Sequence, residues 1–209
     1  MSLTQIYRLI LGICGLTGIS LQLAKDGPGM LLYYTVISNI IVFASFFYYV
    51  YAEKQLGNIN HNQRLLRLKG AVTMAITLTI LVYHFVLAPK VSTANYWNVR
   101  NFLVHYIAPL GMIIDTLIFD RKDSYRLGDP LLWTLLPIGY CIWALLNGLF
   151  FKWPIPGTSS SPFPYFFLDL NQYDWSTVGT YILVITLFYL LLCYILFIVK
   201  KFIGRKNSL

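Results

Sequence analysis

Long apolar stretches alternate with short polar segments along the whole chain. Six of these stretches are nearly free of charge and about as long as the ~20 residues that a helix needs to cross a bilayer. A helix satisfies its own backbone hydrogen bonds in lipid, so each stretch predicts one membrane-spanning helix. We therefore expect an all-α polytopic membrane protein, in which residues 1–209 form a single six-helix transmembrane domain. The predicted spans are residues 7–23, 30–51, 70–88, 101–119, 130–150 and 178–199.

The composition excludes several other classes of protein. Of the 209 residues, 57% are hydrophobic and 11% are charged, whereas an average soluble domain is ~25% charged. These proportions exclude a water-soluble globular domain, a disordered protein and a secreted disulfide scaffold. The cysteines Cys14, Cys141 and Cys193 lie within apolar stretches and have neither disulfide nor metal-ligand spacing. We therefore expect no bound metal and no cofactor.

The basic residues predict the orientation of the helices. With six spans, both termini and the second and fourth loops lie on one side of the membrane. Twelve of the 16 Lys and Arg residues fall on that side, so the positive-inside rule places both termini in the cytoplasm. This asymmetry explains the net charge of +8 without a nucleic-acid partner. The twelve are Arg8, Lys54, Arg64, Arg67, Lys69, Arg121, Lys122, Arg126, Lys200, Lys201, Arg205 and Lys206, and the other four are Lys25, Lys90, Arg100 and Lys152.

Two loops have distinctive compositions. The loop before the fifth span carries Asp120, Asp123 and Asp129 among three basic residues, and we expect these carboxylates to be solvated. The loop at residues 151–177 is the longest, lies on the predicted outer side, and is rich in proline and aromatic residues. Such a loop is expected to lie in the membrane interface as a lid.

Ionisable residues inside predicted spans are costly and are therefore candidates for function. Three qualify, namely His84, His105 and Asp115. Thr35 lies about five residues into its span, while His105 and His84 each lie about four residues from the outer end of theirs. At 1.5 Å per residue, all three side chains are ~6–8 Å below the outer surface. The spans thus predict one polar layer built from three helices.

Other polar residues surround this layer or lie below it. Asn39 follows Thr35 by one turn and Asn101 precedes His105 by one turn, so each pair shares a helix face. Asp115 lies ~15 Å deeper than His105, and we expect it to tie helices together or to bind water. We add Ser38 and Asn147 to the candidates among the uncharged polar side chains within spans.

Acyl transfer can be catalysed by a hydroxyl nucleophile with an imidazole base beside it. The imidazole of His105 can take the proton while the Thr35 hydroxyl attacks an ester carbonyl, and water then releases the acyl group. The amide of Asn39 or Asn101 can donate to the developing oxyanion. A site at this depth is where the carbonyl of a lipid ester lies.

Two other functions fit the same residues. His84 and His105 share a layer on neighbouring helices, as do the imidazole pairs that hold haem in membrane cytochromes. Alternatively, the polar layer is the substrate site of a transporter or of a small-molecule binder that depends on Asp115.

Three segments resemble the family of androgen-induced and androgen-dependent membrane proteins, in its shorter bacterial branch. They are residues 33–39 (YYTVISN), 101–109 (NFLVHYIAP) and 164–169 (PYFFLD), with Gly179 following. The resemblance covers roughly residues 30–180, and Asp115 falls where the family carries an acidic residue. The third segment departs from the family's Tyr-Pro-Phe loop, since it reads Pro-Tyr-Phe-Phe.

Animal members of that family are integral-membrane threonine hydrolases that cleave fatty-acid esters of hydroxy fatty acids. The resemblance implies that Thr35 is the nucleophile and His105 the general base of a lipid ester hydrolase in a bacterial inner membrane. Supporting roles are expected for Ser38, Asn39, His84, Asn101 and Asp115, and a place in the lid for Tyr165 and Asp169.

Overall fold

The computed structural model describes residues 1–206, apart from the side chain of Leu56. Within this range the chain is all-helical and has no β-strand. Six helices are long and apolar enough to cross a membrane, which confirms the predicted number of spans and supports a multi-pass membrane protein. They are α1 (Leu3–Asp26), α2 (Tyr34–Gln55), α3 (Gln63–Lys90), α4 (Val99–Phe119), α5 (Asp129–Phe151) and α6 (Trp175–Phe202).

The start of α2 differs from the prediction in a way that matters for the site. Gly27 ends α1 with a φ of +84°, and a 3₁₀ turn at Pro28–Leu32 follows it. As a result α2 begins at Tyr34 instead of near residue 30. Thr35 is therefore in the first turn of its helix rather than five residues inside it.

The start of α3 also differs, because charged residues extend this helix. It begins at Gln63 rather than near residue 70, and the Asn62 side chain caps it by accepting a hydrogen bond from the N–H of Leu65 at 3.1 Å. Two of the three basic side chains of this first part, Arg67 and Lys69, are paired with carboxylates. A run of uncharged residues therefore marks the apolar core of a helix but not its ends.

Six charged side chains form a cluster inside the bundle, at the end that also holds the start of α1 and the end of α6 (the terminal end). Arg8 Nε lies 2.9 Å from Asp115 Oδ1, and Arg8 Nη1 lies 2.6 Å from a Glu53 carboxylate oxygen. Lys69 pairs with Asp115 and with Asp120. Three positive and three negative charges therefore balance in a site that is almost closed to solvent. The charge cluster consists of Arg8, Glu53, Lys69, Asp115, Asp120 and Lys200.

The expectation that the loop carboxylates are solvated is wrong for two of the three. Asp120 and Asp129 are each 1% exposed, whereas Asp123 is exposed. Asp129 accepts two hydrogen bonds from Arg67 Nε at 2.8 and 2.9 Å. Basic side chains on the neighbouring helices attract both carboxylates into the protein, which a loop composition does not reveal. Three of the basic residues assigned to the cytoplasmic side, Arg8, Lys69 and Lys200, are equally buried.

The opposite end of the bundle (the site end) is packed less uniformly. Gly18 of α1 lies so close to α4 that an added Cβ would be 2.8 Å from Val104, which fixes the helix turn that carries His105. In contrast, α5 contacts α6 near Asp129–Trp133 and separates from it further along. The bundle is therefore tight around α4 and open between α5 and α6.

Replacing Asp115 by Asn should destabilise the protein strongly. The substitution leaves Arg8 and Lys69 buried with one negative charge too few, and breaking a buried ion pair in this way costs ~3–5 kcal/mol. We expect the Tm of the purified protein to fall by about 10 °C. The matched control is Asp123→Asn in the exposed loop, which should shift Tm by no more than about 2 °C. Equal Tm values for the two variants would contradict a stabilising charge cluster.

Candidate active site

Thr35 lies on the wall between two cavities at the site end. An apolar cavity of about 290 Å³ extends between α3, α5 and α6. A second cavity of about 350 Å³, here called the polar cavity, lies between α1, α4 and the outer loop and contains His105 and Lys90. Four residues line both cavities, and they are Thr35, Tyr83, Leu87 and Tyr165.

His105 faces the polar cavity in a defined tautomer. Its Nδ1 is 3.1 Å from the backbone carbonyl of Asn101, and because a carbonyl can only accept, Nδ1 carries the proton. Nε2 is then unprotonated and able to take a proton. The ring stacks on Tyr83 with centroids 3.6 Å apart and planes 18° apart. His105 lies in a π-helical turn at Leu103–Ile107, a local widening of the helix that is frequent at functional sites.

The start of α2 surrounds the Thr35 hydroxyl with hydrogen-bond donors. Thr35 has no helical carbonyl four residues earlier, so its hydroxyl is not engaged in the bond that most membrane-helix threonines make. The N–H groups of Tyr34 and Thr35 are the first two of the helix and lack intrahelical partners. The Tyr165 phenol lies against these groups. Burial raises the pKa of the Tyr165 phenol, and the neighbouring polar groups of Thr35 and Tyr34 oppose that rise.

The structure brings Thr35 and His105 to the same cavity, with no direct hydrogen bond between their side chains in the described part of the chain. Asn39 connects the two helix turns that carry them. Its Nδ2 donates to the carbonyl of Thr35 at 2.8 Å and to the carbonyl of Val104 at 2.9 Å. Both amide hydrogens are therefore used, and Asn39 positions the helices instead of donating to an oxyanion as expected.

Ser38 and Asn101 also have structural partners. The Ser38 hydroxyl is 2.7 Å from that of Thr79 and joins α2 to α3. The Asn101 amide donates to the carbonyl of Tyr96 at 2.9 Å and lines neither cavity. Asn101 contributes to the site through its backbone carbonyl, which holds His105.

The structure places His84 and Asp115 away from both cavities. His84 is exposed, bonds through Nδ1 to the Tyr106 hydroxyl at 3.0 Å, and lines neither cavity. The depth of His84 along α3 was a poor guide because its neighbour Tyr83 takes the inward-facing position. Asp115 belongs to the charge cluster and ties helices together, which is the structural role that its depth suggested.

The outer loop contributes Tyr165 to the site and is fastened by several internal bonds. Asp169 accepts hydrogen bonds from Ser161 at 2.8 Å and from Gln172 at 2.7 Å, so it shapes the loop and lines neither cavity. Asn147, at the end of α5, donates to the carbonyl of Pro162 at 2.8 Å. These contacts hold Tyr165 over the start of α2.

Two residues of the site were not predicted. Tyr83 stacks on His105 and lines both cavities, and Lys90 Nζ lies in the polar cavity 3.7 Å from the centre of the Phe166 ring. Tyr83 carries no charge and is one of 16 tyrosines. Its position beside His84 was therefore the one sequence feature that could have indicated a place in the site. Lys90 was counted solely as a loop charge.

No protein-family model, curated protein or solved structure matches this chain. Among residues 1–206, no group of three His, Cys, Asp or Glu side chains is placed to hold a metal ion. The function must therefore be inferred from the residues themselves.

Replacing Asn39 by Leu should lower the stability of the site end. The carbonyl of Val104 would lose a buried partner, which costs ~1–3 kcal/mol, and we expect Tm to fall by about 5 °C. The control is Asn95→Leu, since Asn95 is exposed in the segment before α4. A Tm for Asn39→Leu that matches the control would show that the amide does not hold α2 against α4.

Proposed function

We propose that the protein is a membrane-embedded lipid ester hydrolase that uses Thr35 as nucleophile and His105 as general base. One observation carries the proposal: Thr35 and His105 line the same cavity, and Thr35 stands where that cavity meets a second, apolar one. The resemblance of residues 33–39 and 101–109 to a family of threonine hydrolases agrees with this assignment.

The reaction proceeds in two steps. In the first, His105 Nε2 takes the proton of the Thr35 hydroxyl as its oxygen bonds to the ester carbonyl carbon, and the imidazolium then protonates the departing alcohol. In the second, His105 takes a proton from water, whose oxygen attacks the acyl-threonine ester. The imidazolium then returns the proton to the Thr35 oxygen as the fatty acid leaves. The Thr35–His105 hydrogen bond forms in the substrate complex, as is common for sites that are loose when empty.

The start of α2 supplies the stabilisation of the oxyanion. The N–H groups of Tyr34 and Thr35 point out of a helix N-terminus, where the helix dipole favours negative charge. The hydroxyl of Tyr165 lies near these N–H groups, and the carbonyl of a bound substrate takes its place. One such donor is worth ~3–4 kcal/mol in the transition state.

The two cavities suit the two halves of an ester. No charged side chain among the described residues lines the apolar cavity, which fits an acyl chain. The polar cavity contains Lys90 and His105 and accommodates the alcohol half and the attacking water. With the termini in the cytoplasm, as the loop charges predict, the site faces the outer leaflet of a bacterial inner membrane.

The alternative functions receive less support from the described residues. A haem held by two imidazoles needs His84 and His105 in one space, but only His105 lines a cavity. A transporter that depends on Asp115 needs that carboxylate on a substrate path, but it pairs with Arg8 and Lys69 in the charge cluster.

Thr35→Ala should abolish labelling by a fluorophosphonate probe and lower hydrolysis of lipid esters at least ~10³-fold, because the nucleophile is removed. His105→Ala should have an effect of similar size, since the hydroxyl then lacks its base. Labelling is measured by in-gel fluorescence, and hydrolysis by fatty-acid release from the protein in nanodiscs.

Thr180→Ala and His84→Ala are the matched controls, because both residues are exposed and line neither cavity. Each should label and hydrolyse like the unmodified protein. If Thr35→Ala and His105→Ala also behave like the unmodified protein, the catalytic assignment is refuted.

A further inference from the structure

The apolar cavity is a channel that extends from Thr35 towards the terminal end. The hydrogen bond between Ser38 and Thr79 places these two residues at the same level of α2 and α3. The two helices run in opposite directions, so Thr35, three residues before Ser38, is level with Val82, three residues after Thr79. Gly70 of α3 lies directly against the ring of Trp133. The helices α3 and α5 run in the same direction, so residues that follow this contact by the same number lie at the same level. Val82 and Leu145 each follow it by twelve residues and are therefore level with each other.

The length of the channel follows from this registration. On α5 its lining extends from Leu145, level with Thr35, to Thr134, which is ~16 Å at 1.5 Å per residue. An extended backbone advances ~3.3–3.6 Å over the three bonds of one residue, so an extended hydrocarbon chain advances ~1.2 Å per bond. The channel therefore holds about 13 carbons.

The inner end of the channel is closed. Tyr189 of α6 is 1% exposed, and its hydroxyl donates to the carbonyl of Trp133 at 3.4 Å. Trp133 is itself buried and donates from its indole N–H to the carbonyl of Arg67. Beyond Tyr189 lies the packed core around Cys193. A linear chain whose carbonyl lies at Thr35 thus ends at Tyr189 and Thr134.

The side of the channel is open towards lipid. Ile138 and Ile142 line it and are 37% and 55% exposed. They lie where α5 and α6 have separated, with Ile182 and Ile185 on the facing helix. A chain of a bilayer lipid can enter here without passing through water.

We propose that this channel binds one unbranched acyl chain of about 13 carbons, which enters sideways between α5 and α6 and is measured against Tyr189. The assignment deepens the proposed function, since the carbonyl of the bound chain lies at Thr35. The substrate class is therefore a lipid ester with a medium-length saturated acyl chain, and Tyr189 and Thr186 determine the chain length.

The chain-length preference can be tested with 4-nitrophenyl esters of saturated acids from 6 to 18 carbons, using the full-length protein in nanodiscs. We expect kcat/KM to rise up to 12–14 carbons and to fall at least about tenfold by 18 carbons. In Thr186→Phe the ring fills the channel one turn above Tyr189, ~4.5 Å short of its end, so the optimum should move to about 9 carbons. In Tyr189→Leu the end is opened, and esters of 16–18 carbons should become substrates.

Leu187→Phe is the matched control, because Leu187 is 57% exposed on the lipid-facing side of α6 and lines neither cavity. Its chain-length profile should match that of the unmodified protein. A profile that is flat in the unmodified protein, or equal in Thr186→Phe and Leu187→Phe, overturns the channel.

A second measurement does not depend on catalysis. Fatty acids of 8 to 18 carbons with a photoreactive diazirine on the last carbon are cross-linked to Thr35→Ala, and the labelled residues are mapped by mass spectrometry. Chains of 12–14 carbons should label Tyr189 or Thr134, and Thr186→Phe should abolish this labelling. Such labelling without any ester hydrolysis would support the channel and refute the proposed hydrolase, whereas hydrolysis without it would refute the channel alone.

Discussion

The charge cluster at the terminal end determines how the helices of this protein are arranged. It joins α1, α2, α3, α4 and α6 through ion pairs and through Lys200, which donates to the carbonyls of Thr116 and Asp120. Charges removed from water are tolerated only when each finds its partner, so the helices cannot slide or rotate independently there. With one end fixed, the other end can remain open enough to contain two cavities without loss of the fold.

The chemistry at the open end depends on where one helix begins. Because the turn at Pro28–Leu32 delays the start of α2, the Thr35 hydroxyl and two backbone N–H groups are free of helical hydrogen bonds. Asn39, one turn later, holds this arrangement against the turn of His105 through the carbonyl of Val104. The candidate nucleophile, the candidate base and two free N–H groups are thus brought together by a helix terminus that a buried amide fixes in place.

Position along the chain did not reveal how several side chains are oriented. Counting Lys and Arg by loop treats each charge as solvated, but Arg8, Lys69 and Lys200 lie inside the protein with Asp115 and Asp120. The depth of a residue along its helix indicates its level in the bundle. It does not indicate whether its side chain faces a cavity or the outside. At equal depth, His105 faces a cavity and His84 is exposed, because 100° of rotation per residue separates inward from outward positions.

The amino-acid sequence by itself determined the number and approximate bounds of the helices long and apolar enough to cross a membrane, and it offered Thr35 and His105 as candidates for function. These features follow from hydrophobicity and from the cost of polar groups in lipid, which act locally along the chain. Only the tertiary structure decided which buried charges pair, that Tyr83 and Tyr165 line the same two cavities as Thr35, and that α5 and α6 separate beside the apolar cavity. These outcomes depend on side chains that are distant in sequence, and their registration is set by contacts that no single segment encodes.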